Sequence, residues 1–340
     1  MENTYLEDIL SQPESLVMCA EGLKDQEKTM KKIKEIGYKK VIFTGMGSSN
    51  YCSVAADIFL TEQGFRSFRY STSELLHHYL ANVDEETLLV IISQSGESAE
   101  IVNLLRKLPD HICTVGVTND QKSELAQKSD FALLMNVESE KSVTTRTYMA
   151  GIAVTLCLAM ILAGETYTHF LKGLLKVIEN MKKMLSDIED WEKSIRDFAI
   201  EENTVWVLGR GIDYGSALAG TLFLREVARM TAVAECCGEF RHGPFEVVEK
   251  GFSAVIVATE ENVYPFNKKL AEDIQEKGGK VLFLSSREKY IPGIMLSACD
   301  RWYQPFLTIL PLQILANAMA EQKGIKAGDF RWGNKVTRVE

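Results

Sequence analysis

Apolar and polar positions alternate along the chain between two kinds of segment. Short runs of branched and aromatic apolar residues, such as "LLVII" at 88–92 and "KVLFL" at 280–284, are separated by longer segments with apolar residues every three or four positions. The short runs predict strands buried on both faces, and the longer segments predict helices. Strands that alternate with helices in this way indicate βαβ units and parallel sheets, so we predict an α/β fold.

The two halves of the chain repeat one pattern. Residues 41–60, "VIFTGMGSSNYCSVAADIFL", align with residues 205–224, "VWVLGRGIDYGSALAGTLFL", and each segment reads as an apolar strand, a G-x-G turn and a helix of small residues. Further strand-like runs follow each segment. We therefore predict two doubly wound domains with helices on both faces of each sheet, at 1–165 and 201–340, joined by a helical connector at 166–200.

Composition narrows the function classes. The 340 residues carry a formal net charge of -9 without a basic cluster, so we expect no nucleic-acid partner. Seven cysteines without a CxxC pair fit a reducing compartment, and we expect a cytoplasmic protein. The apolar segment 149–164 is shorter than the roughly 20 residues that a bilayer requires, so we predict a buried helix and no membrane span. We expect neither a cofactor nor a metal ion.

Hydroxyl and amide side chains crowd the ends of two predicted strands. The first strand is followed by Ser48 and Ser49, and the second by Ser93, Gln94, Ser95 and Ser98. The carboxyl ends of parallel strands meet at one edge of a sheet, where open α/β folds bind ligands. Helix N-termini, hydroxyls and amides bind phosphate there without a lysine. We prefer a phosphate site to helix capping, which needs one such residue, and to a dinucleotide site, for which G-x-G alone is weak evidence.

Further candidate residues lie outside these two turns. Thr144 and Thr145 open the long apolar helix; they either close the phosphate site from a third side or cap the helix. Glu226, Glu239 and His242 lie among apolar and small residues in the second half, where we interpret them as acid–base candidates. The alternative for a lone histidine is a structural role.

These motifs, in this order, resemble the sugar isomerase (SIS) domain family. They are G-x-G-S-S, S-Q-S-G-E-S, V-T-T-R-T, G-E-F-R-H-G-P and K-V-T-R-V-E, and they span nearly the whole chain. The pattern is similar to the isomerase part of glucosamine-6-phosphate synthases and to fructosamine-6-phosphate deglycases. The resemblance implies two tandem SIS domains, each with a flavodoxin-like sheet, in a homodimer.

The resemblance also implies a function and a role for each candidate residue. The expected enzyme enolises a ketose 6-phosphate, or its amino derivative, between C1 and C2. The phosphate is expected to bind Ser48, Ser49, Ser93, Gln94, Ser95 and Ser98, and the sugar to bind Gly47, Thr144, Thr145 and Glu239. Glu226 is expected to carry a proton between C1 and C2. His242 opens the sugar ring in the neighbouring subunit's site, and Lys335 forms an imine with the ketose.

Two features depart from the synthase pattern. No glutaminase domain precedes the first strand, so we expect no ammonia transfer from glutamine by this chain alone. Phe223 stands where the synthases have a lysine, one helical turn before Glu226. Isomerase or aminosugar chemistry ranks ahead of deglycation because Lys335 is retained, and a non-catalytic phosphosugar-binding regulator is the alternative of another class.

Overall fold

The chain consists of two units, each built around one parallel sheet. The computed structural model describes residues 4–140, 143–198, 204–290 and 292–332. The N-terminal unit consists mainly of Ser11–Glu140 and Thr144–Leu175. The C-terminal unit consists mainly of Lys176–Phe330 and includes the opening helix α1 (Thr4–Leu10). The predicted α/β class is confirmed, whereas the domain boundaries drawn from the sequence stay a prediction.

The N-terminal unit contains a five-stranded sheet among its described residues. Its strands are β1 (Lys40–Gly45), β2 (Arg66–Ser71), β3 (Thr87–Ile92), β4 (Cys113–Thr118) and β5 (Phe131–Leu134). Its helices are α2 (Gln12–Ile36), α3 (Ser48–Tyr51), α4 (Val54–Glu62), α5 (Thr72–Glu74), α6 (Ala99–Lys107), α7 (Glu124–Lys128) and α8 (Arg146–Ala163). The strands are parallel in the order β2-β1-β3-β4-β5, which is the flavodoxin-like order. All six residues of β3 are buried, as expected of a strand covered on both faces.

The C-terminal unit contains a second five-stranded sheet among its described residues. Helix α9 (Tyr167–Ser186) begins in the N-terminal unit and ends in this one, and α10 (Ile188–Phe198) follows it. The strands are β6 (Thr204–Gly209), β7 (Thr231–Cys236), β8 (Ser253–Val257), β9 (Lys280–Ser285) and β10 (Gly293–Met295). The remaining helices are α11 (Ile212–Ala228), α12 (Cys237–Phe240), α13 (Tyr264–Glu276) and α14 (Pro305–Gln322). The parallel order β10-β9-β8-β6-β7, taken from the β7 end, repeats the order of the first sheet.

The sequence repeat is also a repeat of backbone conformation. Gly47 lies between β1 and α3 with φ 52 and ψ -128, and Gly211 lies between β6 and α11 with φ 55 and ψ -129. Residues with a Cβ atom are strongly disfavoured in this region. The first glycine of each G-x-G turn is required because a side chain there would collide with the backbone. A Cβ at Gly45 would lie 2.9 Å from the Ser49 carbonyl oxygen, and a Cβ at Gly209 would lie 2.7 Å from the Asp213 carbonyl oxygen.

Helix α8 is the buried apolar helix that its sequence predicts. Among the described residues it is the one helix long and apolar enough to cross a membrane, but every residue from 147 to 162 is buried. It packs against α2 and α4 within the N-terminal unit. Gly151 permits a close approach to Cys52, whose sulfur would lie 2.8 Å from a Cβ at that position.

Candidate active site

Pairing of β1 with β3 brings the two hydroxyl-rich turns together. The strands are parallel, with Gly45 opposite Ile92, so Ser48 and Ser95 each follow the end of their strand by three residues. Neighbouring strands lie about 4.8 Å apart, which sets the spacing of the two turns. Both turns are therefore at the carboxyl edge of the first sheet, as the sequence predicts.

The turn after β3 is held by its own side chains. The Ser93 hydroxyl accepts a hydrogen bond of 3.1 Å from the Gly96 amide, and the Ser95 hydroxyl accepts one of 3.2 Å from the Glu97 amide. A hydroxyl that accepts still has its own proton to donate, so both serines keep a donor for an anion. Ser98 is the N-cap residue of α6, and in the described structure its side chain makes no capping bond, so the first amides of α6 are also candidate donors.

Gly96 is required at the centre of this turn for two reasons. Its φ of 65 lies in the left-handed region, where a Cβ is disfavoured. A Cβ would also lie 2.2 Å from the Ser123 hydroxyl oxygen and 2.5 Å from Cβ of Ser123, in the turn before α7. The Leu125 amide donates to the Gly96 carbonyl at 3.2 Å, so the turn is fixed against the neighbouring loop.

The threonines at the start of α8 do not cap the helix with their own hydroxyls. The buried Glu140 carboxylate does so, accepting from the amides of Thr145 (3.0 Å) and Thr147 (2.6 Å) and from the Thr147 hydroxyl (2.7 Å). The Thr145 hydroxyl is buried and has no partner within the described ranges, and Thr144 is half-buried. Capping, the alternative role for these threonines, therefore belongs to Glu140, a residue that was not predicted from the sequence.

Glu226 lies near the end of α11 in the C-terminal unit. Its side chain is half-buried, and burial raises the pKa of its carboxyl group from 4.5 to about 7. No cation or hydrogen-bond donor pairs with this carboxylate in the part of the chain that the structure describes. Phe223, one turn earlier, is fully buried in the core. The Glu226 charge also acts on the buried phenol of Tyr5, whose pKa is raised by burial first and by Glu226 second.

The structure does not bring Glu226 and His242 of one unit together. The Arg225 guanidinium donates to the Ala232 carbonyl at 2.8 Å, which fixes the end of α11 beside the start of β7. Glu239 and His242 are both exposed and follow the other end of β7. The six residues of β7 span about 17 Å at the usual strand rise, so the two side chains lie at opposite ends of that strand.

The carboxyl edge of the second sheet carries carboxylates where the first carries hydroxyls. Asp213 aligns with Ser49, is fully buried, and accepts from the amide (2.7 Å) and the hydroxyl (2.6 Å) of Thr259. Burial raises the pKa of Asp213 to about 6, although the Thr259 bonds oppose the rise. Glu260 follows the end of β8 by three residues, as Ser95 follows the end of β3. Its side chain is 5% exposed and accepts a hydrogen bond from the Arg301 guanidinium at 2.6 Å.

Glu260 occupies the space next to the second G-x-G turn. A Cβ at Gly211 would lie 2.0 Å from one Glu260 carboxylate oxygen, so this carboxylate lies against the start of α11. The helix N-terminus there already faces a negative charge from the chain itself. Lys335, the predicted imine-forming residue, lies outside the described residues.

Comparison with known proteins gives a match in part of the chain and a fold likeness over nearly all of it. A family model described as "SIS domain" matches residues 36–161. Glutamine–fructose-6-phosphate aminotransferase [isomerizing] 1 of Arabidopsis thaliana is 26% identical over 320 residues, which cover 89% of this chain and 46% of the relative. The chain spans about half the length of the curated relatives it matches.

Two solved structures share the fold over nearly the full length. The C-terminal domain of glucosamine-fructose-6-phosphate aminotransferase from Francisella tularensis has a TM-score of 0.87 and 22% identity, covering 97% of this chain and 99% of that one. Glucosamine-6-phosphate deaminase from Thermotoga maritima has a TM-score of 0.82 and 21% identity, covering 99% and 100%. At these identities the likeness establishes the fold.

Proposed function

We propose that the chain, whose residues 36–161 match the family model described as SIS domain, binds a ketose 6-phosphate, or its 1-amino derivative, and enolises it between C1 and C2. The observation that carries the proposal is Glu226, a half-buried carboxylate with a pKa of about 7. A base of this pKa is suited to moving a carbon-bound proton at neutral pH. The relatives named as isomerizing aminotransferases support the same class of chemistry.

The proposal assigns the phosphate to the carboxyl edge of the first sheet. The donors are the hydroxyls of Ser48, Ser49, Ser93, Ser95 and Ser98, the Gln94 amide and the first amides of α6. Hydrogen bonds to a phosphate oxygen are charge-assisted and stronger than neutral ones. Gly47, Thr144, Thr145 and Glu239 are proposed to contact the sugar. The phosphate end of the substrate stays unreacted while it fixes the position of C1 and C2.

Glu226 is proposed as the group that transfers the proton. In its ionised form the carboxylate removes a proton from the carbon next to the carbonyl, and in its protonated form it returns that proton to the neighbouring carbon. Burial without a paired cation makes the two forms close in free energy near neutral pH. The proposed imine between Lys335 and the ketose would acidify the same carbon.

His242 is proposed to act in the site of a second subunit, which makes the enzyme a homodimer. The support is the length of β7, which places His242 and Glu226 of one unit at opposite strand ends. A contribution from a partner subunit is the arrangement that lets both groups reach one sugar. Both units are further proposed to be SIS domains, with boundaries at 1–165 and 201–340, since they share strand order and the G-x-G conformation.

Deglycation of a fructosamine 6-phosphate is the second candidate. The observation that favours it is the fully buried Phe223, which replaces the lysine found in synthases one turn before the glutamate. Without that ammonium group, proton transfer near C1 relies on fewer charged groups. Deglycation begins with the same enolisation, which converts the ketoamine into an imine at C1; water then adds to C1, the C–N bond breaks, and the free amine and an aldose 6-phosphate are released. In either case we expect a cytoplasmic enzyme.

The test is proton exchange followed by NMR in deuterated water. Fructose 6-phosphate, glucosamine 6-phosphate and a fructosamine 6-phosphate are each incubated with the protein. Deuterium entry at C1 or C2 supports enolisation, and release of the free amine from the third compound identifies a deglycase. Binding of these compounds without exchange or product would refute the catalytic proposal and favour a phosphosugar-binding regulator.

A further inference from the structure

A half-buried arginine lies beside the phosphate site without a carboxylate partner. Arg69 is on β2, the edge strand next to β1, and its guanidinium donates to the Asn50 side-chain oxygen. Its Nε is buried and has no hydrogen-bond partner among the described residues. Nor does any acidic side chain of the described ranges form an ion pair with it. Its charge does act on the Asp57 carboxyl of α4, whose pKa is raised by burial and lowered by a hydrogen bond from Ser67 and by Arg69, but no described carboxylate is close enough to form an ion pair with the guanidinium.

Asn50 connects this cation to the serines of the phosphate site. It is 4% exposed, follows Ser49 directly in α3, and donates from its amide nitrogen to the Tyr70 carbonyl. One side chain thus joins α3 to β2 and holds the Arg69 guanidinium at the same time. The turn that carries Ser48 and Ser49 is therefore fixed by the residue that orients the arginine.

The charge of Arg69 acts on groups packed around α3. Burial raises the pKa of the Cys52 thiol to about 12, and the Arg69 charge opposes that rise. Burial likewise raises the pKa of Tyr148, again against the Arg69 charge. A positive potential therefore extends from β2 toward the turn after β1, where solvent screening is weak.

We propose that Arg69 is a positioning residue of the phosphate site. Asn50 holds its guanidinium beside the serine-lined turns, which have no positive charge of their own. The arginine thereby favours binding of a dianionic phosphate ester over a monoanionic one. The inference rests on the proposed function, because it takes a sugar phosphate as the ligand. Arg69 acts on the ligand at a distance, and its contribution grows with the ligand's charge. The alternative is a purely structural arginine, since inward-facing charges also protect edge strands from pairing with other chains.

The test compares two ligands that differ in charge. Calorimetry at about pH 8 compares glucosamine 6-phosphate, whose phosphate group is a dianion there, with glucosamine 6-sulfate, whose sulfate group is a monoanion. Both carry the same amino group, so the ratio of their affinities reports the charge-dependent term. We expect Arg69→Gln to weaken phosphate binding on the order of 10-fold and sulfate binding about 3-fold, which lowers the ratio. Arg66→Gln is the matched control: Arg66 lies on the same strand, is exposed, and pairs with the exposed Glu86.

Arg69→Lys separates charge from shape and also serves if the glutamine variant does not fold. It keeps the charge and loses the planar fork, so both affinities fall while their ratio stays near the wild-type value. The inference would be overturned if Arg69→Gln left the ratio of phosphate to sulfate affinity unchanged. It would also be overturned if Arg69→Lys lowered that ratio as far as a folded Arg69→Gln variant does. If the wild-type protein binds neither ligand, the proposed function itself fails and the inference falls with it.

Discussion

Replacing Glu226 with glutamine is expected to stabilise the folded protein while it removes proton transfer. The carboxylate is half-buried and unpaired within the described structure, so the folded state favours the protonated form. Glutamine has nearly the same shape and carries no charge at any pH. Under the proposed function Glu226 costs stability and serves catalysis, which is the usual trade-off at an active site.

The size of the effect follows from the pKa of Glu226. A rise from 4.5 to about 7 corresponds to about 3 kcal/mol at most, and to roughly 2 kcal/mol once partial hydration of the side chain is allowed for. The folded state holds the proton more tightly than the unfolded state, so stability falls as pH rises from 4.5 to about 7. Glu226→Gln should therefore match the wild type near pH 4.5 and exceed it above about pH 7.

The assay is thermal unfolding of both proteins at about pH 5 and about pH 8. For a unit of this size we expect the variant to melt about 4–8 °C above the wild type at the higher pH, and within about 2 °C of it at the lower pH. Asp213 also has a raised pKa, but both proteins contain it, so its contribution cancels. Glu249→Gln, at an exposed position, is the control. Equal melting temperatures of variant and wild type at both pH values would refute the burial argument.

The remaining predictions concern the turns, the stoichiometry and the dimer. Gly96→Ala should weaken sugar-phosphate binding at least about 10-fold in calorimetry. The control is Gly64→Ala, which is also at positive φ but in open space, and which should cost about 1 kcal/mol of stability and leave the affinity unchanged. Equal affinities of the two variants would contradict this prediction. One phosphate should bind per chain, because Glu260 fills the second edge; a calorimetric ratio of two would show that edge to be open. Mixing Glu226→Gln and His242→Ala chains should restore about a quarter of wild-type exchange if the histidine acts across a dimer, and none if it acts within one chain.

Much of the fold could be predicted because its signals are local in sequence. The apolar runs and G-x-G turns predict both sheets, and the repeat of residues 41–60 at 205–224 predicts two similar units. The two hydroxyl-rich turns were predicted to meet because parallel strands end at one edge, and the pairing of β1 with β3 places them so. Each inference needed only neighbouring residues and a general rule about sheets.

The contacts that complete the site were not predictable, because they join residues distant in sequence or depend on burial. Arg69 contacts Asn50 across 19 positions and has no motif of its own. Glu140 caps α8 from a segment with no regular structure, where an acidic residue would ordinarily be taken as solvated. The unpaired environment of Glu226 likewise depends on what packs around α11. Only the folded structure gives these relations.

The difference between the two sheet edges was, by contrast, visible in the aligned sequences. In the alignment of the two halves, Asp213 takes the position of Ser49. An acidic side chain at the start of a helix removes the positive potential that a phosphate requires. The structure adds Glu260, which lies against Gly211 and pairs with Arg301. Two units of one strand order and one turn conformation thus place different side chains at the same edge, neutral hydroxyls in the first unit and carboxylates in the second. The backbone provides the edge, and we propose that the few side chains placed on it decide that an anion is accepted at one and excluded at the other.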